Sequence, residues 1–185
     1  MEDEKIIELF NERSELAIMN AQMKYGRYLE KIANNILGDK EDSEECVNDA
    51  YLNAWKSIPP EKPSCLKTYL GKITRNLSLD RYEKNTAIKR GGGEVKLALD
   101  ELTEVIPGDG IEKTIDSAEI AKAINEFLSS ETLENRNIFV RRYWYLDSIL
   151  EIAKLYHLSE AKVKTSLFRM REKLKERFSS EGIEI

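Results

Sequence analysis

Apolar residues recur three or four positions apart along most of the chain, with polar residues between them, as in amphipathic helices. The periodicity predicts four helices in the first half of the chain, over residues 3–12, 14–37, 42–57 and 64–88. It predicts four more in the second half, over residues 116–129, 131–145, 148–156 and 159–178. No segment alternates between apolar and polar residues for long enough to predict a strand. The pattern therefore indicates an all-α protein.

The helical periodicity fails between Arg90 and Lys113. Three glycines at 91–93 are followed by an acidic, partly apolar stretch and then by the sequence PGDG. We interpret this stretch as a flexible acidic linker, mostly extended. The sequence thus predicts two small helical domains, 1–90 and 116–180, joined by a linker over residues 91–115.

The chain is acidic overall but carries two basic islands. Its 185 residues include 29 Lys and Arg against 34 Asp and Glu, a net charge of −5, which excludes a uniformly basic nucleic-acid coat. Residues 62–90 nevertheless have a net charge of +6, and residues 131–178 have a net charge of +4. This distribution is typical of a protein that touches a polyanion at two separate places. A mosaic of solvated helix faces would give the same pattern, so charge alone leaves both interpretations open.

Other features of the sequence argue against several protein classes. No apolar run is long enough to span a membrane, and no signal-like segment is recognisable, so we expect a cytoplasmic protein. Cys46, Cys65 and the single His157 have no metal-ligand spacing, and we expect no metal and no cofactor. Phosphate-binding glycine motifs and nucleophile–base pairs are also missing, so we expect no enzyme activity.

Residues 148–178 predict a helix-turn-helix, the fold unit that reads the major groove of DNA. A short apolar helix is followed by a turn at His157, where Gly is usual, and by Ser159, a good N-cap. On the second helix, one face is apolar, with Val163, Leu167, Met170 and Leu174. The opposite face is polar and basic, with Lys162, Thr165, Ser166, Arg169 and Lys173. A helical hairpin with a solvated basic face remains the alternative.

The helix predicted over residues 64–88 also has two faces. The apolar stripe comprises Leu66, Tyr69, Leu70, Ile73 and Leu77, and the other side carries Lys72, Arg75, Leu79 and Tyr82, with Asn76 and Asp80 at its rim. Cations, an amide and an aromatic ring on one face can hold a separated DNA strand, although a plain bundle helix fits as well. The preceding helix begins with Glu41, Asp42, Glu44 and Glu45, which cap a helix start or dock a basic protein.

Three segments together resemble a known family. EDSEECVNDAYLNAWKSIPP (41–60) and LKTYLGKITRNLSLDRYEK (66–84) resemble region 2 of bacterial RNA polymerase sigma factors. LDSILEIAKLYHLSEAKVKTSLFRMREKL (146–174) resembles their region 4. In this order and at this chain length, the segments resemble the extracytoplasmic-function (ECF) group of the sigma-70 family.

The resemblance implies a sigma factor that binds core RNA polymerase, recognises the −35 and −10 promoter elements and helps to open the DNA. It implies polymerase-binding residues Asp42, Glu45, Asn48 and Asp49. For the −10 element it implies Lys72, Arg75, Asn76 and Asp80, together with the loop 58–64. For the −35 element it implies Ser159, Glu160, Lys162, Lys164, Ser166, Arg169 and Arg171.

The resemblance also implies partners. These are the clamp helices of the largest polymerase subunit, the polymerase flap and promoter DNA, and members of this group are often held by an anti-sigma factor. The protein would associate with the nucleoid when bound to polymerase. Lys162 stands where the family usually has Thr, and Ser166 where it usually has Arg, so the −35 sequence read by this chain is expected to differ from the common one.

Two other functions stay open at this point. A conventional helix-turn-helix regulator would bind specific duplex DNA without polymerase, and we see no helix in the sequence that offers an apolar dimer face for it. A helical adaptor would bind protein only, and its basic residues Lys162 and Arg169 would be dispensable.

Overall fold

The computed structural model describes residues 1–88, 94–106 and 117–182, and the regular secondary structure of these residues is entirely α-helical. The all-α prediction is therefore confirmed. The chain divides into two compact units, Met1–Gly91 and Gly92–Ile185, each with its own hydrophobic core.

The N-terminal unit contains four helices. They are α1 (Asp3–Asn11), α2 (Leu16–Leu37), α3 (Lys40–Ser57) and α4 (Leu66–Ile88), all within a few residues of the predicted bounds. Helix α2 ends at Gly38, whose φ of 66° is the left-handed conformation that glycine adopts at no steric cost. Asp39 then caps α3, because its side chain accepts a hydrogen bond from the amide of Asp42 at 2.9 Å.

Helix α2 packs against α1, α3 and α4, and α3 packs against α4. The buried core of this unit includes Ile6, Phe10, Leu29 and Leu70. On α4, however, the fully buried row continues through Thr74 and Ser78 rather than through apolar residues. The hydroxyl of Ser78 donates to the carbonyl of Thr74 at 2.8 Å and lies 3.5 Å from the sulfur of Cys46. The buried face of α4 is thus rotated from the predicted apolar stripe.

The C-terminal unit contains five helices among the residues described. They are α5 (Glu94–Thr103), α6 (Ser117–Ser130), α7 (Leu133–Tyr143), α8 (Ile149–Tyr156) and α9 (Glu160–Ser180). Helix α9 packs against α6, α7 and α8. Its predicted apolar face is buried: Val163, Leu167, Met170 and Leu174 are each at most 2% exposed.

The prediction of an extended linker over 91–115 is wrong for residues 94–106. These residues form α5 and a following turn, and Val95, Ala98 and Val105 are buried. Val105 belongs to the core of the C-terminal unit, and Leu102 packs against that core. The physical reason is that apolar residues recur three or four positions apart here, which gives even a short helix one face to bury. Residues 91–93 and 107–115 lie outside the described part of the chain.

The turn between α8 and α9 follows a defined backbone pattern. Helix α8 begins with a capping box, in which Ser148 and Glu151 satisfy each other's backbone amides. It ends at His157, which has a φ of 55°, and the amide of Leu158 donates to the carbonyl of Ala153 at 2.9 Å. This is the closing bond of a Schellman motif. The turn therefore places α9 directly after α8, as predicted for a helix-turn-helix.

Candidate nucleic-acid interface

The start of α9 is fixed by its cap. The hydroxyl of Ser159 accepts a hydrogen bond from the amide of Lys162 at 3.2 Å. The side chains of Glu160, Lys162, Lys164 and Arg169 are exposed, and Ser166 is half-buried. These residues occupy the part of a recognition helix whose side chains reach base edges and phosphates in helix-turn-helix proteins. We call Glu160, Lys162, Lys164, Ser166 and Arg169 the α9 front face.

Carboxylates from neighbouring segments pair with the cations of α9. The Nζ atom of Lys162 lies 2.8 Å from a carboxylate oxygen of Glu134 on α7, and that of Lys173 lies 2.6 Å from Glu131. Neither carboxylate was predicted as part of the site, because the sequence separation hides the contact. These acids therefore offset part of the positive charge that α9 presents.

Arg171, which was also predicted for the −35 set, is less exposed than most of that set, and its contact with DNA stays a prediction. Its side chain is only 15% exposed, and its guanidinium lies 3.3 Å from Glu101 of α5 and donates to the hydroxyl of Tyr143 at 2.8 Å. Arg142, which is fully buried, also contacts Glu101 at 3.3 Å. We call Glu101, Arg142, Tyr143 and Arg171 the Glu101 cluster.

The Glu101 cluster is a buried polar network that joins α5 to the helix-turn-helix. Burial, with the nearby Glu101 carboxylate adding to it, raises the pKa of Tyr143 to about 12. A carboxylate between two guanidinium groups is stabilised by charge-assisted hydrogen bonds, and a buried guanidinium in turn requires that carboxylate. Arg171 therefore has partners within its own unit.

On α4, three of the four residues predicted for the −10 element are exposed and lie on one side. These are Lys72, Asn76 and Asp80, at successive intervals of four residues. Arg75 lies on the flank and is half-buried, and desolvation lowers the pKa of its guanidinium. The exposed row of α4 is therefore Lys72, Asn76 and Asp80, with Arg75 beside it.

A groove lies beside this exposed row. It has a volume of about 610 Å³ and runs between the end of α3, the loop residue Glu61 and α4. Lys72 and Asn76 line it, together with Tyr69, whose hydroxyl lies 2.6 Å from that of Ser57. The groove thus brings the loop before α4 and two predicted −10 residues to one place, and it is large enough for a planar base.

The predicted polymerase-binding set lies on α3. Asn48 and Asp49 are exposed, whereas Arg81 of α4 holds the two earlier members of the set: it is 3.1 Å from Asp42 and 2.5 Å from Glu45. Arg81 was not predicted as part of this surface, because its pairing depends on how α3 packs against α4. The four residues still share one helix, but only Asn48 and Asp49 lie outside the pairing with Arg81.

Within the described ranges, no group of three or more His, Cys, Asp or Glu residues could hold a metal ion. Cys46 is buried and Cys65 is exposed, and burial raises the pKa of the Cys46 thiol. Across those same ranges, the helices are all too short or too polar to span a bilayer.

Comparison with known proteins places similarity in both halves of the chain. The sequence model of sigma-70 region 2 matches residues 22–88, which include most of α2 and all of α3 and α4. The chain is 26% identical over 163 residues to the probable RNA polymerase sigma factor RfaY of Xanthomonas campestris pv. campestris, an alignment covering 84% of this chain and 40% of that protein. This chain thus spans well under half of that relative's length.

A second relative is similar over most of its own length. The chain is 25% identical over 150 residues to the ECF RNA polymerase sigma factor SigW of Bacillus subtilis (strain 168), covering 78% of this chain and 80% of that protein. Because both alignments are longer than the N-terminal unit, Met1–Gly91, the similarity extends into the C-terminal unit.

Proposed function

We propose that the chain is an RNA polymerase sigma factor of the ECF group of the sigma-70 family, and that it directs polymerase to promoters by contacting DNA at two places. The N-terminal unit, predicted as residues 1–90, binds core polymerase and the −10 element. The helix-turn-helix within residues 116–180 binds the −35 element. This role requires no catalysis by the chain itself.

The observation that carries the proposal is the exposed basic front face of α9 after a capped helix-turn-helix. Lys162, Lys164 and Arg169 project from the first three turns, where a major-groove helix makes its base and phosphate contacts. Glu160 and Ser166 add a carboxylate and a hydroxyl, which can accept hydrogen bonds. We assign −35 recognition to these residues.

The exposed row of α4 and its groove support the assignment of the −10 element to the N-terminal unit. A separated strand can be held there by Lys72 on a phosphate and by Asn76 on a base edge. Asp80 can accept from an exocyclic amine, and Arg75 supplies a cation at the flank. Strand separation would be favoured because this face binds unpaired DNA.

We assign polymerase docking to Asp42, Glu45, Asn48 and Asp49 of α3, with Asn48 and Asp49 as the accessible centre. The chain has an overall charge of −5, so its affinity for DNA without polymerase should be low at physiological salt. Binding to polymerase raises the effective concentration of both DNA-binding surfaces at the promoter. The proposed partners are therefore core polymerase and promoter DNA, in the compartment that holds the chromosome.

The test is co-elution of the purified chain with bacterial core polymerase on a sizing column, followed by run-off transcription from a pool of promoter fragments. We expect a stoichiometric complex and new start sites. An Asn48→Ala/Asp49→Ala double variant should lose the complex, whereas Glu12→Gln, an exposed substitution on the loop after α1, should keep it. A chain that never co-elutes but binds duplex DNA tightly by itself would instead be a conventional regulator.

A further inference from the structure

The loop between α3 and α4 covers residues 58–65 and borders the groove assigned to the −10 element. Both of its ends are anchored in the core, because Ile58 and Leu66 are fully buried. The residues between them are mostly exposed, and Glu61 lines the groove. The shape of the groove therefore depends on what fixes the two ends of this loop.

The start of α4 has only a weak capping residue of its own. Cys65 immediately precedes the helix, and its sulfur accepts hydrogen bonds from the amides of Lys67 and Thr68. Sulfur is a poor acceptor, whereas a Ser, Asp or Asn side chain in this position would offer an oxygen atom. The first amide of the helix, that of Leu66, must be satisfied from elsewhere.

Asp3 of α1 supplies the missing acceptor. The amide of Leu66 donates to the carboxylate of Asp3. The same carboxylate accepts hydrogen bonds from the hydroxyl of Tyr25 at 2.5 Å and from the Nζ atom of Lys24 at 2.6 Å. Although burial acts in the opposite direction, these hydrogen bonds lower the pKa of Asp3. A charged carboxylate therefore lies at the N-terminus of α4, where the helix dipole favours negative charge.

The other end of the loop is held by the segment that follows α1. Arg13 donates a hydrogen bond to the main-chain carbonyl of Trp55, in the last turn of α3, and its guanidinium lies 5.6 Å from the centre of the Trp55 ring. The ring of Phe10 meets the Trp55 ring edge-on, with the centroids 6.4 Å apart. Residues 3–13 therefore hold α3 where the chain enters the loop and α4 where it leaves the loop.

The packing of α1 does not by itself require these polar contacts. Ile6 and Phe10 are fully buried in the core of the unit and account for the attachment of α1. Asp3 and Arg13 lie at opposite ends of the segment, and each bonds to the main chain at one end of the loop. Such contacts fix the course of the loop and leave its side chains available.

We propose that residues 3–13 brace the loop 58–65 for binding of the separated −10 strand, with Asp3 and Arg13 as positioning residues. Neither residue touches the DNA, and each acts through the main chain at one end of the loop. A loop that is already held in its binding shape loses less conformational entropy on binding. The role in DNA binding rests on the proposed function, whereas the two anchoring contacts rest on the structure alone.

The first experiment measures the loop in the free chain and needs neither polymerase nor DNA. NMR order parameters of the ¹⁵N amides of Glu61, Lys62 and Leu66 are compared between wild type and Asp3→Ala. We expect values of about 0.85, typical of rigid backbone, to fall toward about 0.6 in the variant. Glu4→Ala, an exposed substitution on α1 with the same change in charge, should keep the wild-type values. Unchanged order in Asp3→Ala would overturn the brace.

The second experiment measures base discrimination by the complex with core polymerase. The probes are a labelled single strand carrying the −10 region of a promoter found by run-off transcription, and versions of it with one altered base. Asp3→Ala and Arg13→Ala should each lower the ratio of cognate to altered-strand affinity by at least about twofold, the smallest effect typical of losing a helix cap. Their affinity for polymerase should be unchanged. Glu4→Ala and Lys5→Ala make the same changes in charge on exposed residues and should keep the wild-type ratio.

Two further variants separate positioning from a general loss of stability. Asp3→Asn keeps an oxygen acceptor for the amide of Leu66 and should recover most of the discrimination that Asp3→Ala loses. Ile36→Val, at a buried position near the end of α2, should lower the thermal midpoint and keep the wild-type ratio. Equal losses of discrimination in Ile36→Val and Asp3→Ala would mean that only stability matters, and would overturn the proposal.

Failure of this inference and failure of the proposed function give different results. If wild type binds polymerase and discriminates between strands, and Asp3→Ala and Arg13→Ala discriminate equally well, residues 3–13 do not position the loop for DNA and the proposed function stands. If wild type does not bind polymerase or does not discriminate, the proposed function fails, and the DNA-binding role of residues 3–13 fails with it.

Discussion

The Nζ atom of Lys162 lies 2.8 Å from a carboxylate oxygen of Glu134, so a cation of the α9 front face is paired within its own unit. Both side chains are about half exposed, and an exposed pair of this kind contributes only about 0.2–1 kcal/mol. A DNA phosphate can therefore displace Glu134 from Lys162 at little cost.

Glu134→Gln should raise the affinity of the polymerase complex for a −35 element. Loss of the competing carboxylate frees Lys162 for phosphate, and we expect a gain of about 1.4- to fivefold at low salt, from about 0.2–1 kcal/mol. The measurement is fluorescence anisotropy with labelled duplex. Glu12→Gln makes the same change in net charge in the other unit, and an equal gain there would mean that only overall charge matters.

Arg169 and Arg171, two residues apart on α9, should behave differently. Arg169→Ala should lower affinity for the cognate −35 element by about 1–3 kcal/mol, and less for unrelated DNA, while leaving the thermal midpoint unchanged. Arg171→Ala should instead lower the thermal midpoint, because Glu101 and Tyr143 lose a donor. Binding and thermal unfolding of both variants check this, and the reverse pattern would contradict the placement of Arg171.

Glu101→Ala should destabilise the C-terminal unit by about 3–5 kcal/mol, because it removes a carboxylate that pairs with the fully buried Arg142 and with Arg171. Urea unfolding followed by circular dichroism measures the effect. Glu104→Ala, on an exposed residue of the turn that follows α5, is the matched control and should have little effect. Were residues 94–106 an extended linker, the two substitutions would be equally harmless.

Gly71→Ala should destabilise the N-terminal unit by about 1–3 kcal/mol. A Cβ atom there would lie 2.5 Å from the hydroxyl of Tyr28, closer than nonbonded atoms can approach. The double variant Gly71→Ala/Tyr28→Phe should recover part of the loss, because the clashing oxygen is gone. Thermal unfolding of the two single variants and the double variant gives the coupling, and strict additivity would count against the contact.

The Glu131–Lys173 pair should make stability depend on acid pH. Although burial favours the protonated form, hydrogen bonds from Lys173 and Asn135 lower the pKa of Glu131 below its ordinary value of 4.5. The pair therefore stabilises the folded state fully above that value, and the contribution is lost as the pH falls through the lowered pKa. Thermal midpoints measured between neutral pH and strong acid should fall less steeply for Glu131→Gln than for wild type. Parallel curves would contradict the prediction, and Glu172→Gln serves as the exposed control.

Local features of the chain were predictable because they depend on neighbours in sequence. Helical periodicity located α1 to α4 and α6 to α9, and the left-handed turn at His157 and the cap at Ser159 followed from their positions between α8 and α9. The residues of α5 follow the same periodicity, but they lie between three glycines and the sequence PGDG, and both of these flanking segments are typical of linkers. Proximity to these breaks led to the wrong prediction of an extended segment.

The sequence by itself determined the helices, the apolar face of α9 and the two basic islands, since side-chain spacing sets which residues share a helix face. Only the tertiary structure decided which charges remain available to a partner. The ion pairs of Glu134, Glu131 and Arg81 join residues 28 to 42 positions apart in the sequence. The pair of Glu101 and Arg171 spans 70 positions. Such pairings depend on how helices pack, and packing is set by the whole core rather than by any one segment.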